Sequence, residues 1–202
     1  MNEVDKPKEL TRCFIALSVN EECLKEIIRV QEILSGYKFV GKLIEPENLH
    51  LTLKFLGEVS EEKLEKIKLS LAKLKFEEFE GKLGEIGVFN FKGNPKIVQI
   101  KIGGKGVFDL QEKIDELLVE CGYEKEKKFM SHLTIARLKY VHDKIGFGKY
   151  VSGIGVKDIK FKVDRIELIK SELRSPGPVY SVIEEYNCNP AENINNNGNL
   201  DL

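Results

Sequence analysis

Two short stretches of the chain repeat one chemical pattern. Residues 50–56 have the sequence HLTLKFL and residues 132–138 have the sequence HLTIARL. The whole chain contains three His and three Thr, and two of each lie in these stretches. Two His-x-Thr triplets would arise by chance in roughly one of a thousand such sequences. The repeat therefore marks four candidate functional residues, His50, Thr52, His132 and Thr134.

Two histidines in one cleft would provide acid–base chemistry. An imidazole titrates near neutral pH, so a pair with opposite protonation states forms a general acid and a general base. Threonine hydroxyls can donate hydrogen bonds to a phosphoryl oxygen, and a nearby cation offsets its charge. These groups suit in-line attack on a phosphodiester without a metal or another cofactor. Two other interpretations stay open: ordinary strand residues, or a metal site, although the motifs offer no carboxylate or third histidine as a ligand.

The alternation of apolar and polar residues predicts that each motif lies on a β-strand, where every second side chain points to the same face. In the first strand this puts His50, Thr52 and Lys54 on one face and Phe55 on the core face. In the second strand it puts Arg137 on the face opposite to the histidine and the threonine. We therefore expect Arg137 to reach the site only through a bulge or at the end of the strand.

The composition narrows the class of protein. A chain of 202 residues is one large domain or two small lobes, and 42% hydrophobic with 32% charged residues indicates a soluble globular protein. The net charge of −1 excludes the strongly basic surface of proteins that coat long nucleic acids, but it allows a local basic pocket. The chain shows no signal peptide, no apolar run long enough to span a membrane and no Cys-x-x-Cys pair. We expect a cytoplasmic monomer with reduced cysteines and no membrane association.

The elements that must position the motifs follow the order β, α, β, α, β, β, α, β, β, β. Ser18 and Glu21 form a possible capping box for the first helix, Ser60 can cap the second, and the third should extend from about Val107 to Glu120. Residues 159–173 and 178–186 are predicted to form two strands joined at RSPGP. This mixture predicts an α+β fold with antiparallel sheets. Residues 1–187 should form a single domain, and the Asn-rich residues 188–202 should form a disordered tail.

The chain resembles the two-histidine (2H) phosphoesterases, and within them the RNA 2',3'-cyclic phosphodiesterases, also known as 2'-5' RNA ligases. The resemblance rests on HLTLKFLG and SHLTIARL, with RCFIAL near the start and GPVY near the end, and it extends from about Thr11 to Glu185. It implies a bilobal α+β fold in which two antiparallel sheets, flanked by helices, surround a central groove. One motif would lie in each lobe, related by a pseudo-twofold axis.

The resemblance also implies roles for the motif residues. His50 would be the proton donor to the leaving 3'-oxygen, and His132 would be the proton acceptor that activates water. Thr52, Thr134 and Arg137 would bind the phosphate. The segments that contain Phe14 and Tyr180 also match the family, and for these two side chains we expect a packing role.

The same resemblance implies hydrolysis of 2',3'-cyclic phosphate RNA ends to 2'-phosphates, with ligation as the near-reversal of that chemistry. Two alternatives remain at this stage. The fold could serve as a non-catalytic nucleotide- or RNA-binding module, although binding alone does not need a matched acid and base. The enzyme could also act on a small substrate, such as an ADP-ribose cyclic phosphate.

Overall fold

The computed structural model describes residues 10–175 and 177–189. In this part of the chain the strands are β1 (Leu10–Leu17), β2 (Val40–Leu43), β3 (Leu51–Ser60), β4 (Phe79–Phe91), β5 (Asn94–Gly103), β6 (His132–Tyr140), β7 (Lys160–Val163), β8 (Arg165–Leu173) and β9 (Pro178–Asn187). The helices are α1 (Glu21–Ser35), α2 (Glu61–Leu71), α3 (Lys105–Val119) and α4 (Lys144–Ser152), with a 3-10 turn at Pro46–Asn48. The predicted α+β class with antiparallel pairing is confirmed.

The strands form one curled antiparallel sheet that has two halves. The order is β7-β4-β5-β6-β3-β1-β8-β9, and β2 pairs with part of β6. The halves meet where β3 lies beside β6, and among the described residues these two strands pair at one position, Leu51 with Leu133. The two sheets expected from the sequence are thus continuous with each other through this contact.

Leu51 and Leu133 follow the two motif histidines directly. Each is therefore the counterpart of the other in the repeated motif, and two counterparts that pair with each other must lie beside a twofold axis. The pseudo-twofold axis consequently passes between the two motif strands. This places one motif on each side of a shared groove.

The helices pack behind the sheet and cover its apolar face. α1 contacts β6 and α3 contacts β3, so each long helix lies behind the motif strand of the other half of the sequence. Both helices bury a stripe of side chains spaced three and four apart, such as Ile27, Val30 and Leu34 in α1. This burial in one continuous apolar core fixes the motif strands from behind.

Several element boundaries differ from the sequence prediction. The cap of α1 is Asn20, whose side chain accepts a hydrogen bond from the Cys23 amide at 2.9 Å. Ser18 instead donates to the Glu167 carboxylate at 2.8 Å. The predicted capping box at Ser18 is wrong because an N-cap must directly precede the first helical residue, which is Glu21. The predicted cap of α2 at Ser60 is confirmed.

The segment predicted as one strand over residues 159–173 forms two strands. The break is at Asp164, whose carbonyl accepts a hydrogen bond from the Cys188 amide. β7 pairs with β4 at one end of the sheet, whereas β8 pairs with β1 and β9 in the other half. The chain therefore crosses between the halves at a residue within an otherwise strand-like sequence. β2 and α4 were not predicted either.

The end of the described chain is attached to the domain. The Asn189 amide donates to the Phe76 carbonyl at 2.9 Å, so the first two residues of the predicted tail, Cys188 and Asn189, have backbone partners. Residues 190–202, which carry the rest of that prediction, lie outside the described residues.

Candidate active site

The two motif strands line one groove with a volume of about 1030 Å³. All five residues proposed from the sequence border it: His50, Thr52, His132, Thr134 and Arg137. The side-by-side placement of β3 and β6 brings these residues together, although 82 positions separate the histidines along the chain.

Both histidines are held in the same way through Nδ1. His50 Nδ1 lies 2.8 Å from the Asn48 carbonyl, and His132 Nδ1 lies 2.7 Å from the Met130 carbonyl. A carbonyl oxygen can only accept, so each Nδ1 carries a hydrogen and donates it. The nitrogen left for chemistry is therefore Nε2 in both residues, which is free to accept a proton in a neutral ring and to donate one in a charged ring.

The surroundings of His50 are strongly apolar. Phe14 stacks on its ring with the centroids 4.8 Å apart, and Tyr180 contacts it edge-on at 5.4 Å. The resulting desolvation lowers the pKa of His50 to about 4, because burial penalises the charged imidazolium. The hydrogen bond to Asn48 opposes this shift and the positive charge of Arg137 adds to it. His50 is thus neutral at pH 7 in the free protein, and its Nε2, 3.1 Å from Thr52 Oγ1, accepts the threonine hydrogen.

His132 has a different aromatic neighbour. Phe89 of β4 contacts its ring edge-on, with the centroids 4.9 Å apart. Phe89 lies on the β4–β5 hairpin, for which the sequence predicted no functional residue. For Phe14 and Tyr180 the sequence predicted only a packing role. Their contact with a motif histidine could not be found from the spacing of residues, because it depends on strands far apart along the chain.

Arg137 reaches the groove through a β-bulge. In the pairing of β5 with β6, Val98 faces Ala136 and Gln99 faces Thr134, so Ile135 is an extra residue without a partner. The extra residue reverses the alternation, and both Ile135 and Ala136 are buried. Arg137 consequently shares the groove face with His132 and Thr134. The sequence predicted that Arg137 could reach the site only through a bulge or at the end of the strand, and the structure has the bulge.

The first motif contains a bulge at the corresponding place. Leu53 is skipped in the pairing of β3 with β1, where Ala16 faces Thr52 and Ile15 faces Lys54. As a result the prediction for Lys54 and Phe55 is wrong. Lys54 points away from the groove face and is buried, whereas Phe55 is 70% exposed at the groove. A bulge moves the side chains that directly follow it to the other face.

The groove carries more basic than acidic side chains. Besides Lys54, whose side chain is buried behind the strand, its lining contains four Lys or Arg residues and three Glu residues: Arg12, Lys42, Lys128, Arg137, Glu45, Glu58 and Glu126. Lys54 is neutralised by Asp115, at 2.7 Å, while Arg137 lies on the face of the motif histidines. The arrangement suits a small anion at the centre of the groove. No group of three His, Cys, Asp or Glu placed to hold a metal occurs within residues 10–175 and 177–189.

The fold and the site define a class: a phosphoesterase in which two related lobes each contribute a histidine and a threonine. Two stretches, residues 17–98 and 103–180, match the family model described as LigT like Phosphoesterase, and each stretch contains one motif. The chain belongs to this family.

Individual relatives agree with this assignment. The chain is 37% identical over 180 residues to the RNA 2',3'-cyclic phosphodiesterase of Methanocaldococcus jannaschii, covering 87% of this chain and 99% of that protein. It is 34% identical over 177 residues to the protein of the same name from Thermotoga maritima, covering 86% and 94%. Among solved structures, TT0787 of Thermus thermophilus superposes with a TM-score of 0.77 at 28% identity, covering 89% of this chain and 99% of that one. The Escherichia coli LigT structure with 3'-AMP has a TM-score of 0.70 at 21% identity, covers 89% and 99%, and supports the fold alone.

Proposed function

We propose that the groove hydrolyses RNA 2',3'-cyclic phosphate ends to 2'-phosphates by metal-independent acid–base catalysis. One observation carries the proposal: two paired strands direct an Nε2 atom from each half toward one groove, beside a threonine and an arginine. The shared name of relatives that are 30% or more identical over most of the chain supports the choice of substrate.

In the proposed reaction a water molecule attacks phosphorus opposite the 3'-oxygen. His132 Nε2 accepts a proton from that water as the new P–O bond forms. The bond from phosphorus to the 3'-oxygen breaks on the opposite side, and the leaving oxygen takes a proton from His50 Nε2. The product is a 2'-phosphate and a free 3'-hydroxyl. Proton exchange with solvent restores both histidines.

This assignment requires His50 to gain a proton when the substrate binds. The ring is neutral in the free protein because its pKa is about 4. An anionic phosphate placed beside Nε2 favours the imidazolium and raises this pKa. The Thr52 hydroxyl, which donates to the neutral Nε2, would then be free to donate to a phosphate oxygen instead.

Thr52, Thr134 and Arg137 are proposed to bind the phosphate. The threonines offer one hydroxyl from each half, and the guanidinium offsets charge that builds up on the equatorial oxygens during in-line attack. The proposed unit is a single bilobal domain that acts as a cytoplasmic monomer. All four cysteines, which lie within the described residues, are free thiols, as a reducing compartment favours. No helix of the described residues is long and apolar enough to cross a membrane.

The proposal is tested by incubating the purified protein with a panel of cyclic phosphates and identifying the products. The panel contains an RNA oligonucleotide and a mononucleotide with 2',3'-cyclic ends, and an ADP-ribose cyclic phosphate. We expect a 2'-phosphate from the RNA end and unchanged turnover after exhaustive chelation with EDTA. Turnover that vanishes with chelator and returns with a divalent ion would contradict the acid–base scheme.

The same panel distinguishes the alternatives. Binding without turnover of any substrate would indicate a non-catalytic module. Turnover confined to the ADP-ribose compound would keep the chemistry and replace the substrate. Incubating a 2',3'-cyclic RNA end with a 5'-hydroxyl RNA tests for 2'-5' ligation by the same site.

A further inference from the structure

Gln31 of α1 is a buried polar residue that none of the proposed catalytic steps uses. Its side chain is 5% exposed, and its amide nitrogen donates to two backbone carbonyls, those of Ile44 and Ile135, each at 2.8 Å. The Ile44 amide also donates to the Ile135 carbonyl, at 2.9 Å. Both hydrogens of the Gln31 amide are therefore donated to Ile135 of β6 and to Ile44, the residue that follows β2, rather than to its own helix.

These hydrogen bonds lie where β6 changes its neighbouring strand. Ala136 and the residues after it pair with β2, whereas Leu133 pairs with β3. Ile135 lies between these two regions and is the extra residue of the bulge. The buried Ile135 carbonyl has two lone pairs: it accepts one hydrogen bond from the Ile44 amide, and Gln31 provides a second donor from behind the sheet.

The other half of the molecule contains an equivalent arrangement. Gln31 lies ten residues after Glu21, the first residue of α1, and Asp115 lies ten residues after Lys105, the first residue of α3. Asp115 binds the Lys54 ammonium at 2.7 Å, next to the bulge at Leu53, and both side chains are 4% exposed. Each long helix thus places one buried polar group behind the bulge of the motif strand that it covers.

The position of Gln31 has consequences for the groove on both sides. The Ile135 bulge determines that Arg137 lies on the groove face. On the other side, Gln31 holds the carbonyl of Ile44, four residues before Asn48 in the chain. The carbonyl of Asn48 in turn accepts the hydrogen bond from His50 Nδ1.

We propose that Gln31 is a positioning residue: it holds the bulge at Ile135 and thereby the orientation of Arg137 toward the bound phosphate. The inference rests on the proposed phosphate-binding role of Arg137. Methionine at position 31 fills a similar volume but has no N–H group. The Ile44 carbonyl would then lose the Gln31 donor and the Ile135 carbonyl one of its two, so the bulge would no longer be held from behind.

The test is a double-mutant cycle on hydrolysis of a 2',3'-cyclic RNA end. In the otherwise native protein, Gln31→Met should lower kcat/KM by about tenfold, the scale of a sub-ångström displacement of a binding group. In the Arg137→Ala background the same substitution should lower kcat/KM by less than about twofold, because the group that it misplaces is already absent. Gln31→Glu, which keeps the shape but presents a carboxylate to two carbonyls, should cost at least as much as Gln31→Met.

Gln111→Met is the matched control. Gln111 is also 5% exposed and lies on α3, and its amide nitrogen has no hydrogen-bond partner among the described residues. We expect this variant to keep kcat/KM within about twofold in both backgrounds. Activities are compared at a temperature at which circular dichroism shows every variant folded. If Gln31→Met does not fold, Gln31→Asn, with the amide on a shorter side chain, replaces it.

The outcomes separate two failures. An equal loss from the Gln31 substitution in both backgrounds would overturn the positioning role while leaving Arg137 as a phosphate ligand. No loss from Arg137→Ala alone would instead overturn the proposed role of Arg137 and the inference with it. If Gln111→Met lowers kcat/KM as much as Gln31→Met does, the loss comes from disturbed core packing, and the positioning role of Gln31 is wrong.

Discussion

The two motif histidines are alike on one side of the ring and different on the other. Each donates Nδ1–H to a carbonyl two residues earlier in the chain. His50 is enclosed by Phe14 and Tyr180, whereas His132 meets the edge of Phe89. Identical motifs are thus given different environments by residues outside them, and this is the physical basis on which one can serve as the acid and the other as the base.

The roles of the histidines can be separated with a modified substrate. His50→Ala and His132→Ala should each lower kcat by about a hundredfold or more, the scale of a lost acid or base. Sulfur in place of the bridging 3'-oxygen leaves without protonation, because a thiolate is far more stable than an alkoxide. His50→Ala should therefore recover most of its lost rate on the thio substrate, and His132→Ala should not. Rescue of the His132 variant would reverse the roles, and rescue of neither would indicate charge stabilisation.

The low pKa of His50 predicts the pH dependence of the free enzyme. Activity needs one charged and one neutral histidine, so kcat/KM should follow a bell whose apparent pKa values belong to the pair. Its low-pH limb should lie well below 6.5, since His50 accepts a proton only near pH 4. Phe14→Ala removes the stacked ring and lets water reach His50, which should move this limb toward higher pH. A limb that stays in place in the Phe14 variant would contradict desolvation as the cause.

At the scale of the elements, two bulges decide which side chains face the groove. Each bulge lies just after the threonine of its motif, at Leu53 and at Ile135. They bring Phe55 into the first half of the groove and Arg137 into the second. The pseudo-symmetric groove is therefore chemically unequal, with an aromatic ring where the other half has a cation.

The bulge in the first motif strand is also a feature that the sequence could not predict. The motifs, their strands and the helices that follow Ser60 and precede Gly122 could be predicted, because they depend on local periodicity and caps. The bulge that reverses Lys54 and Phe55 could not, because it arises from the register with β1 and from the buried partner of Lys54 on α3. The break at Asp164 is hidden for a similar reason: residues on both sides favour a strand, and only the distant neighbours differ.

The ion pair behind the first bulge should be important for stability. Asp115→Ala leaves the Lys54 ammonium buried, and it also removes the acceptor for the Glu126 amide at 2.6 Å. We expect the free energy of unfolding to fall by about 3–5 kcal/mol, the usual cost of breaking a buried pair. Urea denaturation measures this, and Asp109→Ala, an exposed aspartate of the same helix, should change it by less than about 0.5 kcal/mol. A loss below about 1 kcal/mol would contradict this and mean that the other partners of the ammonium, the Glu124 carbonyl and the Glu126 carboxylate, are sufficient to hold it.

At the scale of the whole molecule, the last described residues, Cys188 and Asn189, still pair with the domain. The amides of Cys188 and Asn189 donate to Asp164 and Phe76, so they belong to the folded unit. Removing residues 190–202 should leave kcat/KM and the midpoint of thermal unfolding unchanged, because that segment is rich in Asn and poor in apolar residues. Ending the chain at Asn187 should lower the midpoint by a few degrees, since two backbone hydrogen bonds are lost. A large loss of activity on removal of residues 190–202 alone would show that this segment contributes to the folded domain.

The pairing of β1 with β8 has a consequence for synthesis of the protein. β1 emerges first from the ribosome, yet it is flanked on one side by a strand that begins at Arg165, and β9 then completes that edge. Neither half of the molecule is a continuous piece of chain, so contacts of very high sequence separation must form before either is complete, and we expect folding to be slow. A nascent chain that already contains both motifs still lacks β9, which carries Tyr180, one of the two rings that enclose His50. We therefore expect the protein to gain its activity toward RNA ends in one late step, after β9 has been synthesised.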